Sequence, residues 1–284
     1  MRKAVIIFGM IFFAITLFCS SKMEVIYPNR DGIGEQAFGY QLLKLILPKI
    51  DKEYSVKLAP ESSNQDRALA LLENGTYSVV DTGIGPDFEN RFDAIYIPID
   101  MGLTGWRIFI INKNQKNDFE KIKTLEQLRN KKAGQGTGWT DGLIIEKSGI
   151  TVLTAPNVEN LVLMVSGDRF DFFPLGVNET HGFLKEYGRD LPNLMVEETL
   201  VLAYPFARLF YVKKGNVNLH KDIQLGLEKS YGDGSFKKFI EEHPFFQEGL
   251  RKSDLKNRTI IRIDNPFMTE KFKKIDSKWW YKIE

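Results

Sequence analysis

The sequence has one cysteine, Cys19, in 284 residues. No disulfide, thiolate zinc site or cysteine nucleophile is therefore available to the chain beyond it. Histidine is nearly as scarce. His181, His220 and His243 lie scattered in polar helical stretches, and none stands at H-E-x-x-H spacing. No G-x-S-x-G elbow occurs either. These absences argue against the common hydrolases, and no catalytic residue, metal or cofactor is expected. A charge excess is also lacking, because 39 Lys plus Arg face 37 Asp plus Glu. That balance does not fit a nucleic-acid partner.

Long apolar runs are limited to the first residues. Met1-Arg2-Lys3 is basic, Ala4 to Phe18 is apolar, and Cys19-Ser20-Ser21 is small. This is the layout of a signal peptide over residues 1–21, shorter than the roughly 20 apolar residues of a membrane span. Its removal takes away Arg2 and Lys3 and leaves a nearly neutral chain. Two fates are open to Cys19: removal with the leader, or lipidation as the first residue of a lipoprotein. Phe18 is bulky for a lipobox, whereas Ser20-Ser21 suits one. A third reading keeps the N-terminus as an anchor helix.

The remainder has ordinary globular composition. Its periodicities alternate between strand and helix. "MEVIYP", "YSVKLAP" and "SVVDTG" read as strands. "EQAFGYQLLKLILPKI" and "NQDRALALLENGTY" between them read as helices, the second stopped at Asn74-Gly75. The alternation resumes with the strand "WRIFIINK", then a short helix in "KTLEQLR", a strand ending at Ala133 and a glycine turn. "WTDGLIIEKSG" reads as a helix, "NVENLVLMVSGDRFDFFPLG" as helix then strand, and "ARLFYVKKG" as a strand. "LHKDIQLGLEKSYGDGSFKKFIEEH" reads as helix broken at Gly232-Asp233-Gly234, and "TIIRIDNP" as an edge strand. Such βαβ order implies mixed sheets covered by helices.

The stretch "NKKAGQGTGWTDG" has four glycines but is no nucleotide loop. A Walker loop needs Lys-Ser or Lys-Thr after its last glycine, where Trp139-Thr140 stand, and the dinucleotide spacing is missing. A glycine turn into a helix exposes backbone N–H groups that attract an anion, carboxylate included. The alternative is a plain strand-to-helix turn with Trp139 in the core.

Taken together, these segments resemble the bacterial extracellular solute-binding proteins of family 3, the polar amino acid type of ABC importers. "KTLEQLRNKKAGQGTG", "LMVSGDRFDFFPLGVNE", "GPDFENRFDAIYIP" and "RLFYVKKGNVNLHKDIQLGLEKSYGDGSFKKFIEEH" carry the likeness in the family's order, over roughly Met23 to His243. The resemblance implies an α/β, two-lobed periplasmic-binding-protein-like fold of type 2. Each lobe would be a mixed sheet flanked by helices, with the ligand cleft between the lobes. Residues 22–100 plus 209–284 would form the first lobe and 106–203 the second, with crossovers at 101–105 and 204–208.

The resemblance implies that a ligand carboxylate meets Arg91 and the backbone near Thr82 and Gly83. Gly136, Thr137 and Gly138 would close on it from the other lobe, with Trp139 as a wall. The family's usual aspartate for an amino group is missing near Gly176, and Asn178 and Glu179 stand as substitutes. Arg30, Gln65 and Arg67 are further candidates, and Arg208 lies at the second crossover. The implied function is capture of a small polar, carboxylate-bearing solute by a periplasmic or extracellular monomer, and delivery to the membrane permease of an ABC importer. A sensor subunit for a signalling partner is the alternative, and a lyase or dehydratase on the same fold is a further one. The 244–284 tail lies outside the family pattern and is too short for a catalytic domain.

Overall fold

The computed structural model describes residues 22–30 and 32–282. The expected signal peptide and Cys19 lie outside them. Among the described residues no helix is long and apolar enough to cross a membrane.

The chain starts as two βα units. Strand β1 (Met23–Arg30) leads to helix α1 (Phe38–Ile46), and β2 (Tyr54–Ser63) leads to α2 (Gln65–Asn74). β1 and β2 pair in parallel. Helix α1 forms because its apolar residues recur at helical spacing, and Leu42, Leu43 and Ile46 are buried. Helix α2 begins at Asn64, whose side chain accepts the Arg67 N–H at 2.9 Å. It ends at Gly75, whose φ of 89° is the left-handed cap expected from the sequence. Strand β3 (Val79–Gly83), the short α3 (Phe88–Arg91) and β4 (Phe92–Ile95) follow.

The middle of the chain builds a second sheet. Its strands are β5 (Trp106–Asn112), β6 (Lys132–Gly136), β7 (Thr151–Ala155), β8 (Phe172–Gly176), β9 (Leu194–Val196) and β10 (Leu200–Ala203). The helices are α4 (Lys116–Phe119), α5 (Leu125–Leu128), α6 (Thr140–Lys147), α7 (Val158–Ser166) and α8 (Thr180–Tyr187). Strand β5 pairs antiparallel with β8, β9 and β10, and β6 pairs in parallel with β7 and β8. Apolar side chains alternate across this sheet. Phe109 and Ile111 join one core cluster, and Ile110 between them joins another.

The chain then returns. Strand β11 (Arg208–Lys213) lies antiparallel between β3 and β4, and α9 (Val217–Gly232) and α10 (Ser235–Glu242) follow. Two segments therefore cross between the sheets, 96–105 and 204–207. Asp100 ties them together. Its buried carboxylate accepts the N–H groups of Gly102 (3.0 Å), Thr104 (3.1 Å) and Arg208 (3.1 Å).

Three features differ from the sequence reading. Strand β6 runs on through Gly134 to Gly136 instead of ending at Ala133. It does so because these residues pair with Leu153 to Ala155 and lie under aromatic rings. The tail holds a helix that the sequence reading left unassigned, α11 (Pro244–Lys252), and the short α12 (Glu270–Lys273). The strand expected in "TIIRIDNP", β12 (Thr259–Arg262), is at an edge, but it pairs with β10. It thus extends the sheet of the 106–203 segment, not those of the residues with which 209–284 were grouped.

Candidate functional site

A cavity of about 440 Å³ opens between the two sheet systems. The ends of β1, β3 and β8 and the starts of β5 and β11 bring charged residues to it. Arg30, Asp81, Arg107, Asp141, Glu179 and Arg208 all line it. Chain topology makes this inevitable: parallel βα units deliver their strand ends and helix starts to one rim.

Asp81 interrupts an apolar strand and is fully buried. Its Oδ2 accepts from Arg208 Nη2 at 2.5 Å and Nε at 2.9 Å. The Tyr27 hydroxyl donates to its other oxygen, and Arg30 Nη1 donates to its carbonyl at 2.9 Å. Burial alone would raise the Asp81 carboxyl, but the Arg208 and Arg30 guanidiniums hold it below the usual carboxylate range.

Arg107 is the second residue of β5 and is only 1% exposed. Its Nη2 lies 2.6 Å from Asp141 Oδ1 and its Nη1 lies 3.5 Å from Glu179 Oε2. The Tyr204 and Phe206 rings face its guanidinium at 5.7 and 5.5 Å. Burial opposes its charge, yet Asp141, Tyr204 and Glu179 keep it protonated, above the ordinary arginine value. Burial pushes the Asp141 carboxyl up, and Arg107 draws it only part of the way back. Glu179 also reaches Arg208, at 4.0 Å. Acids and guanidiniums thus alternate in one chain: Asp81, Arg208, Glu179, Arg107, Asp141.

Asn178 completes the floor. It is 5% exposed, and neither Oδ1 nor Nδ2 has a hydrogen-bond partner among the described residues. Arg107 Nε is likewise buried and unpartnered there. A buried amide left unpaired costs roughly 1–3 kcal/mol, so it is poised for a polar guest.

Of the residues picked from sequence, Arg30, Gln65, Thr82, Gly83, Trp139, Asn178 and Glu179 line this cavity. Gly136 and Thr137 line a neighbouring one of about 250 Å³, which shares Arg30, Gln65 and Trp139. Arg67, Arg91 and Gly138 line neither. Arg67 pairs with Glu61 at 3.3 Å on the surface. Arg91 is corrected most sharply. It ends α3 with its Nη2 2.7 Å from Glu73 and its guanidinium over Phe92, outside the cavity. Gly138 lies beside Asp66 of α2.

Two N–H groups of the expected anion cradle are already engaged. The N–H groups of Thr137 and Trp139 donate to the Ala155 and Gly136 carbonyls at 2.9 and 3.0 Å. Asp141, in the first turn of α6, already answers the positive end of that helix. Gly136 instead makes room for the indole, since a Cβ there would sit 2.3 Å from the Trp139 ring. Sequence reasoning passed over Asp81, Arg107 and Asp141. The signal for the first two was present: each puts a charge into an otherwise apolar strand.

No family model and no curated protein matches the sequence. Solved structures do match. The chain is similar to an ancestral arginine-binding protein bound to arginine, at 18% identity over 78% of this chain and 98% of that one (TM-score 0.59). It is similar to the amino acid ABC transporter substrate-binding protein AbpA from Streptococcus pneumoniae bound to L-arginine, at 17% identity over 79% and 96% (TM-score 0.57). It is also similar to a histidine kinase sensor domain with similarity to periplasmic binding proteins, at 13% identity over 79% and 96% (TM-score 0.58). Identities this low establish the fold: the two-lobed α/β architecture of periplasmic binding proteins, the class that the sequence resemblance implied.

Proposed function

We propose that the chain is an extracytoplasmic solute-binding protein that captures a small zwitterionic, amino acid-like solute and hands it to the membrane permease of an ABC importer. The observation that carries this reading is the alternating chain of guanidiniums and carboxylates inside the cavity, with the unpartnered Asn178 amide beside it. A zwitterion offers one charge to each sign, so both sets of buried groups gain a partner. The solute carboxylate meets Arg107 and Asn178, and its ammonium meets Glu179 and Asp141. Charge-assisted hydrogen bonds of this kind are the strong ones. The two neighbours that hold arginine support the class of solute.

The crossovers at 101–105 and 204–208 act as the hinge. Ligand contacts from both lobes favour the closed form, and the Glu179–Arg208 approach already spans them. The leader at residues 1–21 directs export. The likeness to a kinase sensor domain supports the second reading, a ligand-binding sensor subunit. A permease and ATPase encoded beside this chain would favour import, and a sensor kinase would favour signalling.

A thermal-shift screen of residues 22–284 against amino acids, carboxylates, amines, sugars and phosphates tests the proposal. A zwitterion is expected to stabilise by about 2.7 kcal/mol at a hundredfold excess over its dissociation constant. Stabilisation by sugars or phosphates alone would overturn it.

A further inference from the structure

The cavity has a third wall that belongs to neither sheet system. Pro244, Phe245, Glu248 and Gly249 of α11 line it. Two contacts fix this helix. Toward α1, the Phe245 ring stacks on Phe38 at 4.9 Å, and the buried Phe246 meets Phe38 edge-on at 5.3 Å. Toward the loop before α8, Gly249 packs so closely that a Cβ would lie 2.1 Å from the Val177 carbonyl oxygen and 2.9 Å from Asn178 Cα. The same helix thus abuts the loop that carries Asn178 and Glu179.

We propose that α11 is a ligand-contacting wall and that Phe38 and Phe245 select a solute whose side chain is apolar, aliphatic or aromatic. This inference rests on the zwitterion reading above. The wall adjoins the charged groups directly, because the Arg208 guanidinium lies 5.4 Å from the Phe38 ring centroid. Phe183 and Tyr187 of α8, the helix that packs against α11, stack on each other at 5.7 Å and also line the cavity. The solute's charged end therefore has charged partners, and the rest of it meets rings. Carboxylates near the rings do not alter this chemistry. Glu248 is paired with Lys252 at 2.5 Å, and Glu186 is exposed on the rim. Solvent screens the exposed Glu186, so a cationic side chain would gain little from it.

Calorimetric titration with a graded series of L-α-amino acids is the test: alanine, 2-aminobutyrate, norvaline, norleucine and phenylalanine, with ornithine and lysine as cationic counterparts. The affinity is expected to rise about fourfold per added methylene and to fall for the cationic pair. Phe245→Ala is expected to flatten that slope, and Phe245→Leu, which keeps the wall apolar, to restore most of it. An unchanged slope in a folded Phe245→Ala protein overturns the inference alone. So does a preference for ornithine and lysine. If no member binds, the zwitterion reading falls and the inference falls with it.

Discussion

Asn178→Leu separates stability from binding at one position. Leucine is close to asparagine in shape, so the 5% exposed site keeps its packing. The substitution removes two buried polar atoms that have no partner among the described residues. Leaving such a group unpaired costs roughly 1–3 kcal/mol, and the leucine variant avoids that cost. For a domain of this size 1 kcal/mol moves the melting temperature by about 2–4 °C, so the ligand-free variant should melt about 2 to 12 °C higher. Binding should move the other way. Loss of a hydrogen bond to a charged ligand group costs about 1.5–3 kcal/mol, which weakens affinity roughly ten- to hundredfold. Scanning calorimetry without ligand, and titration calorimetry with the best zwitterion, read the two effects separately. A variant that melts lower and binds unchanged would refute the reasoning, because Asn178 would then be a satisfied structural amide.

Arg91→Ala should leave affinity unchanged in the same titration, since Arg91 is held by Glu73 outside the cavity; a large loss would reinstate it as the carboxylate clamp. Arg107→Met leaves Asp141 buried without its cation and should destabilise by about 3–5 kcal/mol at neutral pH. The Asp141 carboxyl already lies above its ordinary value through burial, and losing Arg107 raises it further. A folded-state value above the unfolded one means that folding takes up a proton. The variant's deficit should therefore shrink as pH falls through the folded value of Asp141, and grow as pH rises through it. Denaturation midpoints across that range check this, and a deficit independent of pH would contradict it.

The layout of the fold was legible because it is written in local signals. Gly75 caps α2, the Thr124 and Gln127 pair forms a capping box on α5, and the strand periods stand out. Helix α11 was not legible. Its burial depends on Phe38, some two hundred residues earlier in the sequence, a partner that its own nine residues do not name. The site was half legible. Thr82 and Gly83 close β3, and Asn178, Glu179 and Trp139 follow strand ends, where the topology brings the chain to the rim. Arg91 misled because a short helix turns it toward Glu73, a contact that motif order does not encode. Arg107 and Asp81 were hidden by their surroundings: an apolar strand reads as core even when one of its residues is a charge. The glycine run misled for a related reason, because two of its glycines accommodate the rings of Phe170 and Trp139.

The central claim is that one cavity holds both charges of a zwitterion. The most direct test takes the tightest-binding L-amino acid and titrates it beside two analogues, one with the ammonium replaced by hydroxyl and one with the carboxylate removed. Each analogue should bind at least about tenfold more weakly, since each loses charge-assisted hydrogen bonds worth about 1.5 kcal/mol or more. Equal affinity for either analogue would show that the guanidinium and carboxylate chain does not read both ends of the solute, and would contradict the account.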